Sequence, residues 1–338
     1  MKFNKIFSSN TVFANGKPIR VYGEGDGEAT IEFAGKSNIV TAIDGKWYTE
    51  FAPMPCGGPY SLKLTTGNDD ITFDNVWVGE VYLCAGQSNI ELRLTETNTP
   101  LEMYKSNDML RCFEVDKITK NRLFTPDDGW VCADKETVYN WTAIGYLAGM
   151  EISEKKNVAV GIINCNQGAS VIESWVPAGA FEKIGINIPR EKKAIGHTYP
   201  DYQRWNTDGA LYEHQFRQVF PFSVNGVIWY QGEADSFGEE ASVYCIELQE
   251  LIRIWRENFD DSCLPFYVIQ IADYRPENDP SRDFEGWARV QEAQERIQAL
   301  TNNVVTVISR DVCETDNIHP PTKNLLAKRV AETIIKNS

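Results

Sequence analysis

Val78-Gly79-Glu80-Val81-Tyr82-Leu83-Cys84-Ala85-Gly86-Gln87-Ser88-Asn89 decides the reading of this chain. Its first part belongs to an apolar run over residues 76–85, of the kind that forms a strand buried on both faces of a parallel sheet. A glycine and polar residues follow at once. Ser88 therefore falls on a tight turn at the end of a strand, where a hydroxyl nucleophile is exposed. A nucleophile needs a base. The chain has three histidines, and one of them, His319, lies in Asp316-Asn317-Ile318-His319-Pro320. An Asp three residues before a His can share a short turn with it, orient the ring and stabilise its protonated form. Together the two segments predict a serine hydrolase with chain order Ser88, Asp316, His319.

Working outward, apolar runs of strand length recur at residues 158–164, 225–230, 265–272 and 303–308. Helical patterns lie between and after them, at residues 239–257, 287–300 and 321–335, with Glu247 as a charged interruption of the first. This alternation predicts an α/β domain over residues 76–338, a doubly wound parallel sheet between helical layers, with ligands at the carboxyl ends of the strands. Residues 1–75 differ. Short alternating runs such as Thr30-Ile31-Glu32-Phe33 are separated by Asn15-Gly16, Asp44-Gly45 and Gly57-Gly58-Pro59. That grammar predicts a small antiparallel β domain without a helix.

Polar loops follow the strand-like runs. One is Asn164-Cys165-Asn166-Gln167-Gly168-Ala169-Ser170, and another is Gln231-Gly232-Glu233-Ala234-Asp235. A tetrahedral intermediate needs fixed donors for its oxyanion. The amides of Ser88 and Gly168 and the side-chain amide of Gln231 are the candidates, and a glycine permits the close approach. Each residue alone has a plainer reading. Ser88 can cap a helix, Gly168 can close a turn, Asp316 can cap or solvate a loop, and His319 can be a surface histidine. His197 and His214 either line a pocket or are structural.

The composition, 42% hydrophobic and 24% charged over 338 residues, is that of a globular protein with a substantial core. A net charge of −15 disfavours nucleic acid and anionic membranes as partners. The eight cysteines form no C-x-x-C pair, so no metal site of that kind is expected. No secretory leader or membrane span is visible, and a cytoplasmic location with reduced thiols is expected.

These blocks together resemble the SGNH hydrolase superfamily, and within it the sialate O-acetylesterase-like and acetylxylan-esterase-like carbohydrate esterases. The likeness runs from about residue 50 to 320. It is carried by the Ser88 block, by Trp229-Tyr230-Gln231-Gly232-Glu233 and by the Asp316 to His319 block. The resemblance implies an SGNH (flavodoxin-like) three-layer domain behind a small β domain. It implies Ser88 as nucleophile, His319 as base, Asp316 as orienting acid and Gly168 as oxyanion donor. It also implies an acetylated sugar as substrate and no metal or organic cofactor. Two positions depart from the pattern. Asp235 stands where many relatives carry the Asn of the name, and a carboxylate would repel an oxyanion, which shifts that role to Gln231. Ile90 replaces a common Met. Gln87, Glu233, Trp229 and Trp175 are the expected substrate contacts, with Tyr199, Tyr202 and Trp205 as further stacking candidates. A non-catalytic sugar-binding protein and an SGNH-type lipase or thioesterase are the alternatives. The particular sugar and the oligomeric state stay open.

Overall fold

The computed structural model describes residues 1–67, 69–119, 129–189, 192–193, 198, 200–275 and 283–338. The N-terminal region is built from β1 (Lys2–Phe3), β2 (Val12–Ala14), β3 (Ile19–Glu24), β4 (Glu28–Phe33), β5 (Lys36–Thr41), β6 (Lys46–Phe51) and β7 (Gly57–Thr65). β1, β3 and β6 form a separate antiparallel sheet, and β4 pairs antiparallel with β5 and β7.

The next strand, β8 (Asp70–Gly86), joins everything. Its first half pairs antiparallel with β7, and its second half pairs parallel with strands on both sides. The sequence shows why. Residues 70–75 alternate between exposed and half-buried, as a strand with one wet face does, whereas residues 78–86 are continuously buried. The position between residues 75 and 76 lies inside this strand.

The remaining strands are β9 (Asn107–Glu114), β10 (Val131–Ala133), β11 (Val160–Asn166), β12 (Gly226–Tyr230), β13 (Phe266–Ile269) and β14 (Val304–Val307). They order as β10-β9-β11-β8-β12-β13-β14, with all but β10 parallel. The chain fills one side of β8 up to β11 and then crosses to β12 on the other side. That makes the carboxyl end of β8 the switch point, where an open α/β sheet leaves a crevice.

Two helix pairs pack with the sheet: Ala143–Lys156 with Lys323–Asn337, and Glu240–Asn258 with Phe284–Leu300. In Glu240–Asn258 the buried positions Tyr244, Leu248, Leu251, Ile252 and Trp255 follow helical spacing. Glu247 lies on the same buried stripe. Burial lifts its carboxyl well above the usual range. Among the described residues no helix is long and apolar enough to cross a membrane.

Candidate active site

β8 ends at Gly86, which has φ +132°. A Cβ there would lie 2.1 Å from the Tyr230 carbonyl oxygen, so only glycine lets β8 and β12 close up at this point. The Gln87 amide donates to Tyr230 O at 3.0 Å, and the Gln167 amide donates to Gly86 O at 3.0 Å. The turn is thus pinned between the ends of β11 and β12. Ser88 opens the short helix Ser88–Glu91 and is half-buried. Its Oγ lies 2.8 Å from His319 Nε2, across 231 positions of sequence. His319 is exposed and sits on the loop after β14. The two side chains line a cleft of about 650 Å³ with Glu91, Arg93, Glu96 and Lys117.

Asn89 holds the two halves of this pair together. Its Nδ2 donates to Glu233 Oε1 at 2.6 Å and to Ile318 O at 2.9 Å, and its Oδ1 accepts from Lys323 Nζ at 2.7 Å. One amide therefore ties the residue after Ser88 to the residue before His319. Lys323 is fully buried, with Nζ 5.4 Å from the Tyr230 ring centroid. Burial pulls its ammonium from 10.5 to about 8, against the opposing pull of Cys313, Glu233 and Glu314. The folded value lies below the unfolded one, so the unfolded chain binds more protons between those limits and stability rises with pH there. The shift is worth about 3 kcal/mol at 1.36 kcal/mol per unit. Relative to Lys323→Met, the protein will therefore gain stability between pH 7 and pH 10 in urea unfolding. A difference that stays flat over this range would remove the assignment.

Asp316, expected to orient His319, does not do so in this structure. Its carboxylate is exposed, and among the described residues it takes part in no hydrogen bond or ion pair. A three-residue spacing permits the shared turn but does not impose the rotamer. Glu96 supplies a nearby carboxylate instead. Arg93, bonded to it at 2.6 Å, and more weakly the His319 ring hold its carboxyl below the usual range. A charge kept ionised near the imidazole favours the protonated ring.

Gly168 lies beside Ser88, since a Cβ built on it would be 3.7 Å from Ser88 Cβ. Gln231, expected as an oxyanion donor, is committed elsewhere. Its Nε2 donates to Ser170 O at 2.9 Å and to Asp235 Oδ2, and its Oε1 accepts from Tyr244 Oη at 3.0 Å. Asp235 is buried and also accepts from the Ile172 amide at 3.1 Å, so it braces the segment after Gly168 from below.

The expected substrate contacts are corrected in the same way. Gln87 is buried, and its Oε1 accepts from the amides of Gly232 and Ala234 at 3.3 and 3.1 Å, tying the β12 loop to the Ser88 turn. Glu233 is buried against Asn89. Trp175 and Trp229 are fully buried and meet edge to face at 6.0 Å, with Trp255 completing the cluster, so neither can stack on a sugar. Tyr202 and Trp205 are half-buried with centroids 5.4 Å apart. His214 is exposed. His197 and Tyr199 lie outside the described residues.

Several residues of the site went unread in the sequence: Lys117, Glu91, Glu96 and Lys323. Glu91 carried a usable signal, because in a helix the third residue after Ser88 shares its face. Among the described residues no cluster of His, Cys, Asp and Glu could hold a metal ion, and all eight cysteines are free.

A parallel sheet with a serine and a histidine paired at its switch point and a glycine loop alongside is an SGNH-type esterase fold. The family described as carbohydrate esterase, sialic acid-specific acetylesterase matches residues 78–336, and the chain belongs to it. The sialate O-acetylesterase of Rattus norvegicus is 22% identical over 373 residues, covering 92% of this chain and 68% of its own length. The Homo sapiens enzyme is 22% identical over 324 residues, covering 87% of this chain and 61% of its own length. The chain thus spans only about three fifths to two thirds of these relatives. The crystal structure of a carbohydrate acetylesterase from Xanthomonas citri matches with a TM-score of 0.83 and 26% identity, covering 98% of this chain and 73% of that one. An Arabidopsis thaliana protein at 16% identity and a TM-score of 0.52 shares the fold.

Proposed function

We propose that this carbohydrate esterase removes O-acetyl groups from a sugar through an acetyl-Ser88 intermediate. The observation that carries the reading is the 2.8 Å contact between Ser88 Oγ and His319 Nε2 inside an open cleft. His319 takes the Ser88 proton as Oγ attacks the acetyl carbonyl, and it returns that proton to the departing sugar oxygen. Water, activated by the same ring, then attacks the acetyl-serine and releases acetate. The amides of Ser88 and Gly168 are the donors for the oxyanion. Among the described residues neither has a hydrogen-bond partner within the protein, which leaves both available. Glu96 is the nearby charge that favours the imidazolium, and rotation of the exposed Asp316 side chain would add a second. No step needs a metal or an organic cofactor.

The test is acetate release followed by NMR, with O-acetylated sialic acid, acetylated xylan fragments and acetylated mannan fragments as substrates. Acid quenching during turnover should trap an acetyl group on the peptide that contains Ser88. Acetate release without any acetylated peptide would exclude the covalent route, and no release from any glycan would exclude the sugar.

A further inference from the structure

Resting on that reading, we propose that Glu91 recognises a free hydroxyl on the sugar next to the acetyl ester. Glu91 stands three residues after Ser88 on one short helix, so the two side chains share a face. One of its oxygens is fixed. Oε1 accepts from Lys117 Nζ at 2.6 Å, and the Lys117 side chain is only 1% exposed. The same ammonium donates to Asn166 Oδ1 at 2.8 Å, at the end of β11, and lies 3.9 Å from Glu114 Oε1. A buried cation with three oxygen neighbours on the sheet edge locks the rotamer of Glu91. The charge of Lys117 is thereby taken up and is not offered to a ligand.

The second oxygen has no such partner. Among the described residues Glu91 Oε2 accepts no hydrogen bond, and Glu91 lines the cleft with Ser88 and His319. Its position is set by Gly168: a Cβ there would lie 2.8 Å from Oε2 and 3.7 Å from Ser88 Cβ. A carboxylate oxygen is therefore held on the same side of the cleft as Ser88, both of them neighbours of Gly168. It matches a hydroxyl donor and repels a carboxylate at the same spot. The ligand class is a sugar ester whose neighbouring carbon carries a free, uncharged hydroxyl. Gly168 serves this arrangement too, since any side chain there would strike the carboxylate.

The experiment compares two methyl xylosides, one mono-O-acetylated with a free adjacent hydroxyl and the other with that hydroxyl O-methylated. The wild-type kcat/KM should favour the first by roughly 10- to 100-fold, the worth of one hydrogen bond to a charged group. In Glu91→Gln the preference should fall to threefold or less, with the melting temperature showing that the variant is folded. Should Glu91→Gln not fold, Glu91→Leu combined with Lys117→Met removes both charges together and is read by the same ratio. A wild-type ratio near one, or a ratio unchanged in the variant, overturns the inference alone. Hydrolysis of 4-nitrophenyl acetate without release from either xyloside overturns this inference, and failure with the acetylated sialic acid and mannan esters as well removes the sugar reading.

Discussion

Ser88→Ala will lower turnover of 4-nitrophenyl acetate by about 10⁴-fold or more while the melting temperature stays within a few degrees of wild type. The hydroxyl is half-buried at the mouth of a turn, and its removal opens no core cavity. The turn itself is held by the backbone bonds of Gln87 and Gln167 and does not depend on the side chain of residue 88. His319→Ala will cost a comparable amount, because a hydroxyl without a base is a weak nucleophile at neutral pH. The double variant will be scarcely slower than either single one. On the proposed route the two groups act on one proton over one 2.8 Å contact, so removing the second partner takes away nothing that the first had left. Losses that multiplied in the double variant would show that the two residues serve different steps. Near wild-type turnover in Ser88→Ala would transfer the nucleophile to another residue.

The legible part of this site is the part written in local pattern. A run buried on both faces, then Gly-Gln-Ser-Asn, identifies β8 and its turn, and a scarce histidine near the C-terminus supplies the partner. The patterns over residues 225–230 and 239–257 reappear as β12 and Glu240–Asn258, displaced by a residue or so at their ends. The helix Ala143–Lys156 escaped because it is buried on nearly every side and shows no amphipathic period. Errors in the site came from side-chain partners that composition cannot reveal. Trp175 and Trp229, expected as substrate contacts, belong to the packing between the sheet and Glu240–Asn258. Gln231 is expected to serve the oxyanion, but Ser170 and Asp235, which claim its amide, come from loops fixed only by the fold. Asp235, the departure from the family pattern, is a buried acceptor for Ile172 and Gln231. A carboxylate is tolerated there because it faces donors instead of the oxyanion.

Asn89→Ala will reduce kcat for an acetylated sugar on the order of 100-fold with KM changed less than threefold, and it will lower stability by about 3–5 kcal/mol. Both effects come from one amide. Its removal leaves Glu233 Oε1, Ile318 O and Lys323 Nζ without that partner in a buried setting, and unmade bonds to charged groups are costly. The larger consequence is positional. Ile318 is held by Asn89, Ile318 precedes His319, and Asn89 follows Ser88. Cutting the amide therefore releases the His319 loop from the Ser88 turn, while the cleft walls Glu91, Arg93 and Lys117, bound to other partners, keep their places. A misplacement of about 1 Å at reacting atoms is enough for a loss of this size. Asn89→Asp separates the two contributions. It keeps the acceptor for Lys323 but sets a carboxylate against Glu233 and gives up the bond to Ile318. It should remain folded at pH 7 and still be slow. If Asn89→Ala kept kcat within threefold of wild type, or if the loss fell on KM instead, the base loop would have to be positioned by other contacts, such as the Arg275 amide on Thr315 O at 2.7 Å.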